Sequence, residues 1–321
     1  QPYTTVKAMP RMSVPAKIRV HSCILTNYSV MAPSQPTASP AATFNKWLDL
    51  LPPAERRLVH FFAKLQENSL KQMSNITNNP NTILETGSDG GKIETGGSFA
   101  WLVLTNGLKP LWRCAGPVDG WDRCQSSLRS ELTALASMCL MLEEFCKFNR
   151  FTKIQCKIKV YVDNLQAIKH LDEIRNGNKP RKYEDNADSL HIIASCPMVL
   201  AKIKPSHVKA HQDEKKHPHD LDHAAQINIL CDRLATLYLN SLQLGHMQPQ
   251  HTPKRPASMP IELTCQGKVL NSHYTKRLHE EIGAGYHQDY VCEKFKWTQQ
   301  TYAHINWTAI ENWQRKSRSN N

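Results

Sequence analysis

The chain has 321 residues, 36.6 kDa, 40% apolar and 21% charged residues, and a net charge of +12. That length suits two domains or one domain with long flanks, and the composition is too apolar for a chain disordered throughout. No apolar run approaches the ~20 residues of a membrane span, which argues against a transmembrane protein, and nothing at the start of the given sequence reads as a charged-then-apolar signal peptide. A first residue of Gln1 is what a fragment or a processed product would show. The ten cysteines have no CxxC and no regular spacing. They read as reduced, buried small hydrophobes of an intracellular protein, in the cytoplasm or nucleus, not as a disulfide frame. The charge sits in the flanks. Residues 1–78 carry nine Lys/Arg against three Asp/Glu, whereas residues 79–245 carry 21 against 19. A basic chain suits a polyanionic partner, although a solvated basic tail reads the same way.

In chain order, residues 1–42 hold six prolines and no period, so they read as irregular. Phe44–Gln72 reads as two helices broken at Pro52-Pro53, and Asn75–Asn81 as a linker. These make a flank, 1–79. Thr82–Asp89 reads as a strand ending at Gly90-Gly91, Ser98–Leu104 as a buried strand and Pro110–Gly116 as a third. Leu128, Leu132, Leu135, Cys139, Leu142 and Cys146 step by four and three, which predicts a one-sided helix capped by Ser126 or Ser127. Lys153–Asp163 alternates as a strand, parallel to the first because a helix joins them. A helix over Leu165–Ile174, a basic loop over Arg175–Asp185, and a helix over Asp188–Ile203 kinked or split at Pro197 follow. A strand over Pro205–His211 and a last helix over Ala224–Leu242 complete the middle segment. The order β-β-β-α-β-α-α-β-α predicts an α/β domain over 80–243. Its mixed five-stranded sheet has three antiparallel strands, then two parallel ones, with helices on both faces. A Pro-rich linker (244–260) and a small mixed, partly helical region (261–321) close the chain.

Four carboxylates fall at special places. Asp89 and Asp163 end strands predicted to be neighbours, Glu131 opens the long helix, and Asp232 lies on the apolar face of the last helix. Singly, each has a bland reading as a turn former, a helix-dipole partner or an ion-pair partner. Together, buried acids at the carboxyl ends of parallel strands repel one another unless divalent cations neutralise them. Mg²⁺ prefers such oxygen ligands, and a pair of ions can activate water and stabilise a leaving oxygen.

Five motifs in order carry a resemblance: Ser88-Asp89-Gly90-Gly91, Ser130-Glu131-Leu132, Val162-Asp163-Asn164, His207-Val208-Lys209-Ala210-His211 and Cys231-Asp232-Arg233-Leu234-Ala235. The stretch 80–243 resembles type 1 ribonuclease H, in particular the domains of reverse-transcribing element (retrotransposon-type) polyproteins. The resemblance implies a metal-dependent endonuclease, a hydrolase that cuts the RNA strand of RNA/DNA hybrids. Asp89, Glu131, Asp163 and Asp232 would hold two Mg²⁺ ions, with Mn²⁺ able to substitute, and His211 would assist proton transfer or product release. Gly90, Gly91 and Asn164 would approach the hybrid closely. Arg175, Lys179, Arg181 and Lys182 occupy the place of a basic hybrid-binding protrusion and would meet DNA phosphates, although a solvated loop reads equally well. A linked reverse transcriptase upstream is an expected partner; its YxDD signature is absent from this stretch.

His211 and Asp232 stand 21 residues apart, more than in compact family members, and the intervening polar loop offers competing acids in Asp213, Asp220 and Asp222. His217, His219 and His223 have HxHxxxH spacing but no cysteine beside them, which is poor zinc chemistry. Trp297, Trp307 and Trp313 suit a small core or base stacking. Exonucleases of related fold carry a DxE pair on the first strand, where this chain has Asp89 followed by Gly90 and Gly91. Integrases place the helical Glu after the fourth-strand Asp, and here Glu131 precedes Asp163. The remaining alternative is a catalytically idle or repurposed hybrid-binding module of the same fold.

Overall fold

The computed structural model describes residues 23–27, 43–60, 67–94, 96–104, 108–120, 124–181, 184–214, 217, 220–244, 261–265, 268–272, 276–277 and 288–305. A five-stranded sheet forms its centre. The strands are β2 (Ile83–Ile93), β3 (Gly96–Leu104), β4 (Pro110–Val118), β5 (Lys157–Val162) and β6 (Ile203–His207), counting as β1 the separate strand Cys23–Asn27. The spatial order is β4-β3-β2-β5-β6. β2, β3 and β4 pair antiparallel, whereas β2–β5 and β5–β6 are parallel. This is the α/β class and mix of directions that the sequence predicts, with the first and fourth strands of the sheet adjacent as expected.

The flanking helices are α1 (Phe44–Asp49), α2 (Pro53–His60), α3 (Glu67–Thr77), α4 (Ser127–Phe148), α5 (Leu165–Arg175), α6 (Ala187–Ala194), α7 (Pro197–Leu200) and α8 (His223–Gln243). Pro52-Pro53 breaks α1 from α2, and Pro197 splits α6 from α7 with the proline in the first helical turn, where its missing N–H costs nothing. Ser126 caps α4 by accepting the Arg129 N–H. None of the described helices is long and apolar enough to cross a membrane.

Several bounds differ from expectation for identifiable reasons. β2 does not stop at Gly90-Gly91. It pairs with β3 out to Ile93 opposite Gly96, so the first glycine pair is inside the strand. α3 extends to Thr77, taking in the start of the Asn-rich run, because Met73 and Thr77 on one face are buried. β6 begins at Ile203 and ends at His207, leaving His211 in the following turn.

The long helix departs most from the one-sided stripe. Every residue of α4 from Arg129 to Cys146 is buried. The sheet covers one side; α2, α6 and α7 cover the rest. Phe44 of α1 meets Phe145 edge-on at 5.6 Å between ring centroids and also packs on Trp112. Polar groups on the outer face therefore need partners. The Ser137 hydroxyl accepts from Trp101 Nε1 at 2.7 Å and donates to the Leu58 carbonyl at 2.7 Å. Glu143 accepts the N–H groups of Met198 and Val199 at 3.1 Å each, capping α7. Seven of the described cysteines are buried free thiols, Cys139, Cys146 and Cys231 on helices among them.

A buried ionic network ties the first turn of α4 to its surroundings. Arg129 is 1% exposed. Its guanidinium grips the Asp188 carboxylate with two bonds of 2.9 and 2.7 Å and donates twice to the Asp119 carbonyl. Asp119 in turn pairs through its carboxylate with Arg57 of α2. Asn271 Nδ2 donates to Asp188 Oδ2 at 2.6 Å. Further out, β1 pairs antiparallel with β7 (Ile261–Cys265), which continues to β8 (Lys268–Val269).

Burial alone would raise the Asp188 pKa, but the Arg129 guanidinium and the bonds from Arg129 and Asn271 hold it below the ordinary carboxylate value. A depressed folded pKa gives stability that is present above about pH 4 and is lost as pH falls through the folded value. Asp188→Ala should therefore cost about 3 kcal/mol or more at neutral pH, because it strands a buried guanidinium. It should also flatten the acid limb of stability below about pH 4. Urea unfolding across a pH series measures both.

Candidate active site

The parallel pairing of β2 with β5 ends at Gly87 opposite Tyr161. Asp89 and Asp163 each stand two residues beyond that last pair, so the fork between the strands carries two carboxylates side by side. Glu131 enters from α4. One oxygen from each of Asp89, Glu131 and Asp163 lies within 4.8 Å of the other two.

Gly90 makes that convergence possible. A Cβ at this position would stand 2.4 Å from backbone and side-chain atoms of Ser130 and 2.6 Å from the Glu131 nitrogen. Only a glycine lets the first turns of α4 press so closely on β2. Ser130 Oγ donates to the Gly91 carbonyl at 3.0 Å, and the Gly90 N–H is shared between Asp89 Oδ1 at 2.7 Å and Glu131 Oε1 at 3.2 Å. On the other side, a Cβ at Gly91 would meet Leu239 of α8 at 2.4 Å.

The electrostatics of the cluster are unfavourable without a counter-ion. Burial raises the Asp89 pKa to about 6, with the Asp163 charge adding to it against a bond from Glu131. Burial, then the charges of Asp89 and Asp163, push Glu131 well above the ordinary range. Burial also raises Asp232, His211 opposing and Asp213 reinforcing. Glu131 Oε2 is buried without a hydrogen-bond partner. An all-carboxylate donor set with an unsatisfied buried oxygen fits a hard divalent cation such as Mg²⁺, and fits zinc or copper poorly.

A cleft of about 550 Å³ opens over this cluster. Asp232, His211, Gly90, Gly91 and Asn164 all line it, as does the competing acid Asp213. Asp232 is outside the tight group of three. His211 sits in the turn after β6 with a φ of 50°, a left-handed conformation uncommon outside glycine. Asn164 caps α5, its side chain accepting the N–H groups of Gln166 and Ala167. Of the other loop acids, Asp222 accepts the Ala225 N–H at the start of α8, and Asp220 is exposed. His223 is engaged with Glu85 at 2.8 Å, while His219 lies outside the described residues.

The basic loop is not part of this cleft. Lys179 and Arg181 line a separate hollow with His170, Glu173 and Glu184, and Arg175 pairs with Asp172 at 2.6 Å. Lys182 lies outside the described residues, as do Trp307 and Trp313. Trp297 leans on Phe295 at 5.3 Å. Sequence reasoning missed Lys92, Ser127 and Asn228 in the cleft wall. Asn228 is buried, its Nδ2 has no hydrogen-bond partner, and it stands one helical turn before Asp232. That i, i+4 spacing on α8 was the available signal.

No protein-family model and no curated protein matches the chain. Among solved structures it is similar to LC11-RNase H1 in complex with an RNA/DNA hybrid, at 12% identity and a TM-score of 0.35, covering 50% of this chain and 99% of that one. The N-terminal RNase H domain of a Mycobacterium tuberculosis protein, fused to maltose-binding protein, gives 13% identity, 51% and 99% coverage and a TM-score of 0.34. RNase H1 from Halobacterium salinarum gives 13%, 50% and 98%, and 0.31.

Two outcomes follow from the geometry. Gly90→Ala should separate α4 from β2, costing about 1–3 kcal/mol by overpacking and weakening divalent-cation binding. Thermal melts with and without Mg²⁺ check both effects. In the metal-free chain, a carboxyl whose folded pKa is raised contributes stability below about pH 4 that is lost as pH rises through about 6. Asp89→Asn should remove the Asp89 share of that decline and shrink the Glu131 share, leaving a metal-free protein more stable than the parent at pH 8 and no longer stabilised by Mg²⁺. Melting temperatures over pH 4–8 decide this.

Proposed function

We propose that the chain is a metal-dependent endoribonuclease that hydrolyses the RNA strand of RNA/DNA hybrids. The observation that carries the reading is the convergence of buried Asp89 and Glu131 with half-buried Asp163 at the fork of two parallel strands. The five ordered motifs supply the choice of substrate, since they match a ribonuclease H pattern on a sheet of the matching strand order.

Asp89, Glu131, Asp163 and Asp232 would hold two Mg²⁺ ions, Mn²⁺ substituting. When bound, the ions lower the pKa of the attacking water and stabilise the 3′ oxygen as it leaves. The residues of the chain do the rest. Asp89 and Asp163, fixed by strand register, set the position of the scissile phosphate. Glu131 is held by the Gly90 N–H. His211, in the cleft wall, holds or moves a proton at the departing oxygen. Gly90, Gly91 and Asn164 admit the backbone of the hybrid, which is read by shape and by 2′-hydroxyl contacts. Arg175, Lys179, Arg181 and Lys182 meet DNA phosphates beyond the cleft, with the steep salt dependence of ion pairs. The motif pattern favours a retrotransposon-type polyprotein with a reverse transcriptase upstream. Its buried free thiols suit a reducing, intracellular compartment.

The test is a hybrid labelled in the RNA strand, incubated with Mg²⁺, Mn²⁺ or EDTA. Internal cuts should require metal. Asp163→Asn should abolish them while leaving the circular-dichroism spectrum unchanged. Cleavage that survives this substitution would sink the assignment; hybrid binding without any cleavage would favour an idle binding module.

A further inference from the structure

The buried network around Arg129 contains a residue from far outside the five-stranded sheet. Leu270, Asn271 and Ser272 follow β8, and all three are buried, Asn271 at 3% exposure. Four hydrogen bonds seat this tripeptide. Asn271 Nδ2 donates to Asp188 Oδ2 at 2.6 Å, and the Asn186 N–H donates to the Asn271 carbonyl at 2.6 Å. Ser272 Oγ donates to the Cys124 carbonyl at 2.8 Å, and Cys124 Sγ returns a longer contact to the Ser272 carbonyl at 3.7 Å. The segment thus bridges the entry to α4, at Cys124, and the entry to α6, at Asn186 and Asp188.

Its position relative to the carboxylates is mechanically specific. Arg129 precedes Glu131 by two residues, so their side chains leave α4 roughly 200° apart. Glu131 reaches toward β2. Arg129 reaches the opposite way, into Asp188, whose second oxygen Asn271 also holds. The first turns of α4 are therefore gripped from both sides. On the β2 side the grip is the Ser130–Gly91 bond and the bare Cα of Gly90. Away from β2 it is Arg129, anchored on one side by the Asp119 carbonyl and on the other by Asp188, whose placement sets the ionic half of the grip. Asn271 and Arg129 both bond Asp188 Oδ2, and the Ser189 backbone N–H also bonds the carboxylate.

We infer that Asn271 is a positioning residue of the carboxylate centre: by holding Asp188 against Arg129 it sets the α4 first turn, and with it the distance of Glu131 from Asp89 and Asp163. The inference rests on the metal-centre reading proposed above. Such outer partners of ligand-bearing elements tune metal affinity by roughly tenfold or more in other centres. Asn271 is not among the carboxylates of the centre; its side chain acts through Asp188 and Arg129, while its carbonyl separately holds the Asn186 N–H.

The experiment compares three variants of the full chain by Mn²⁺ titration calorimetry, thermal melting and hybrid cleavage. Asn271→Ala removes the bond to Asp188. Ser272→Ala is a milder loosening of the same segment. Trp47→Phe removes the 2.9 Å bond from Trp47 Nε1 to Glu144, at the far end of the same helix. Asn271→Ala should weaken Mn²⁺ binding about tenfold, Ser272→Ala less, and Trp47→Phe not at all, even where it lowers the melting temperature. Saturating Mn²⁺ should restore cleavage by Asn271→Ala. Lower melting temperatures with unchanged Mn²⁺ affinity in both segment variants would reduce the segment to a structural contact and overturn the inference. A parent chain that binds no Mn²⁺ would instead overturn the metal centre, and the inference with it.

Discussion

The approach of α4 to β2 at Gly90 governs the molecule. Moving the helix outward by the width of one methyl group would lift Glu131 off Asp89, break the bond from Ser130 Oγ to the Gly91 carbonyl and loosen the core behind them. The approach is also electrostatically costly, since it concentrates three carboxyls in a partly desolvated fork. Packing forces together what charge would separate. The chain holds this strained arrangement by burying α4 along almost its whole length.

That burial explains why so much of the polar inventory lies inside. A helix exposed on one face can turn its polar side chains to water. α4 cannot, because α1, α2, α6 and α7 close its outer face. Ser137, Glu143 and Arg129 are each paired with a group from another element. These bonds add direction to a core that apolar packing alone would leave free to slide. They also join distant pieces of sequence. Arg57, Asp119, Arg129, Asp188 and Asn271 form one connected chain of contacts from the first flank to the last.

Much of this was legible beforehand. Strand alternation and the four-three steps of α4 gave the element order, and helix-linked strands gave the parallel pair. Asp89, Glu131 and Asp163 stood out because buried acids at strand ends and helix starts need a reason. Other features had no sequence signal. Gly90-Gly91 reads as a turn because glycine pairs usually are turns; only the β3 register shows the strand continuing. The apolar steps of α4 predict a one-sided helix, and no periodicity reveals that Ser137 and Glu143 on its other face are partnered by Trp101 and the start of α7. Asn271 could not be found at all, since a tripeptide after a Pro-rich stretch carries no pattern. From sequence, Asp232 falls on the apolar face of the last helix; it lines the cleft from α8, outside the tight group of three carboxylates.

The pairing of β1 with β7 has a kinetic consequence. Cys23–Asn27 is made early, yet its strand partner Ile261–Cys265 is made only after the entire sheet and all of α8. The same holds for Asp188, which waits for Asn271. Contacts of such long sequence separation form late, because the loop entropy must be lost before they contribute. During synthesis from the amino end, the central sheet is complete while β1 remains an unpaired strand and the α4 entry is still open on one side. An exposed strand is a ready partner for another copy of itself. Nascent chains are therefore most prone to mispairing in the interval between the emergence of α8 and that of residue 272.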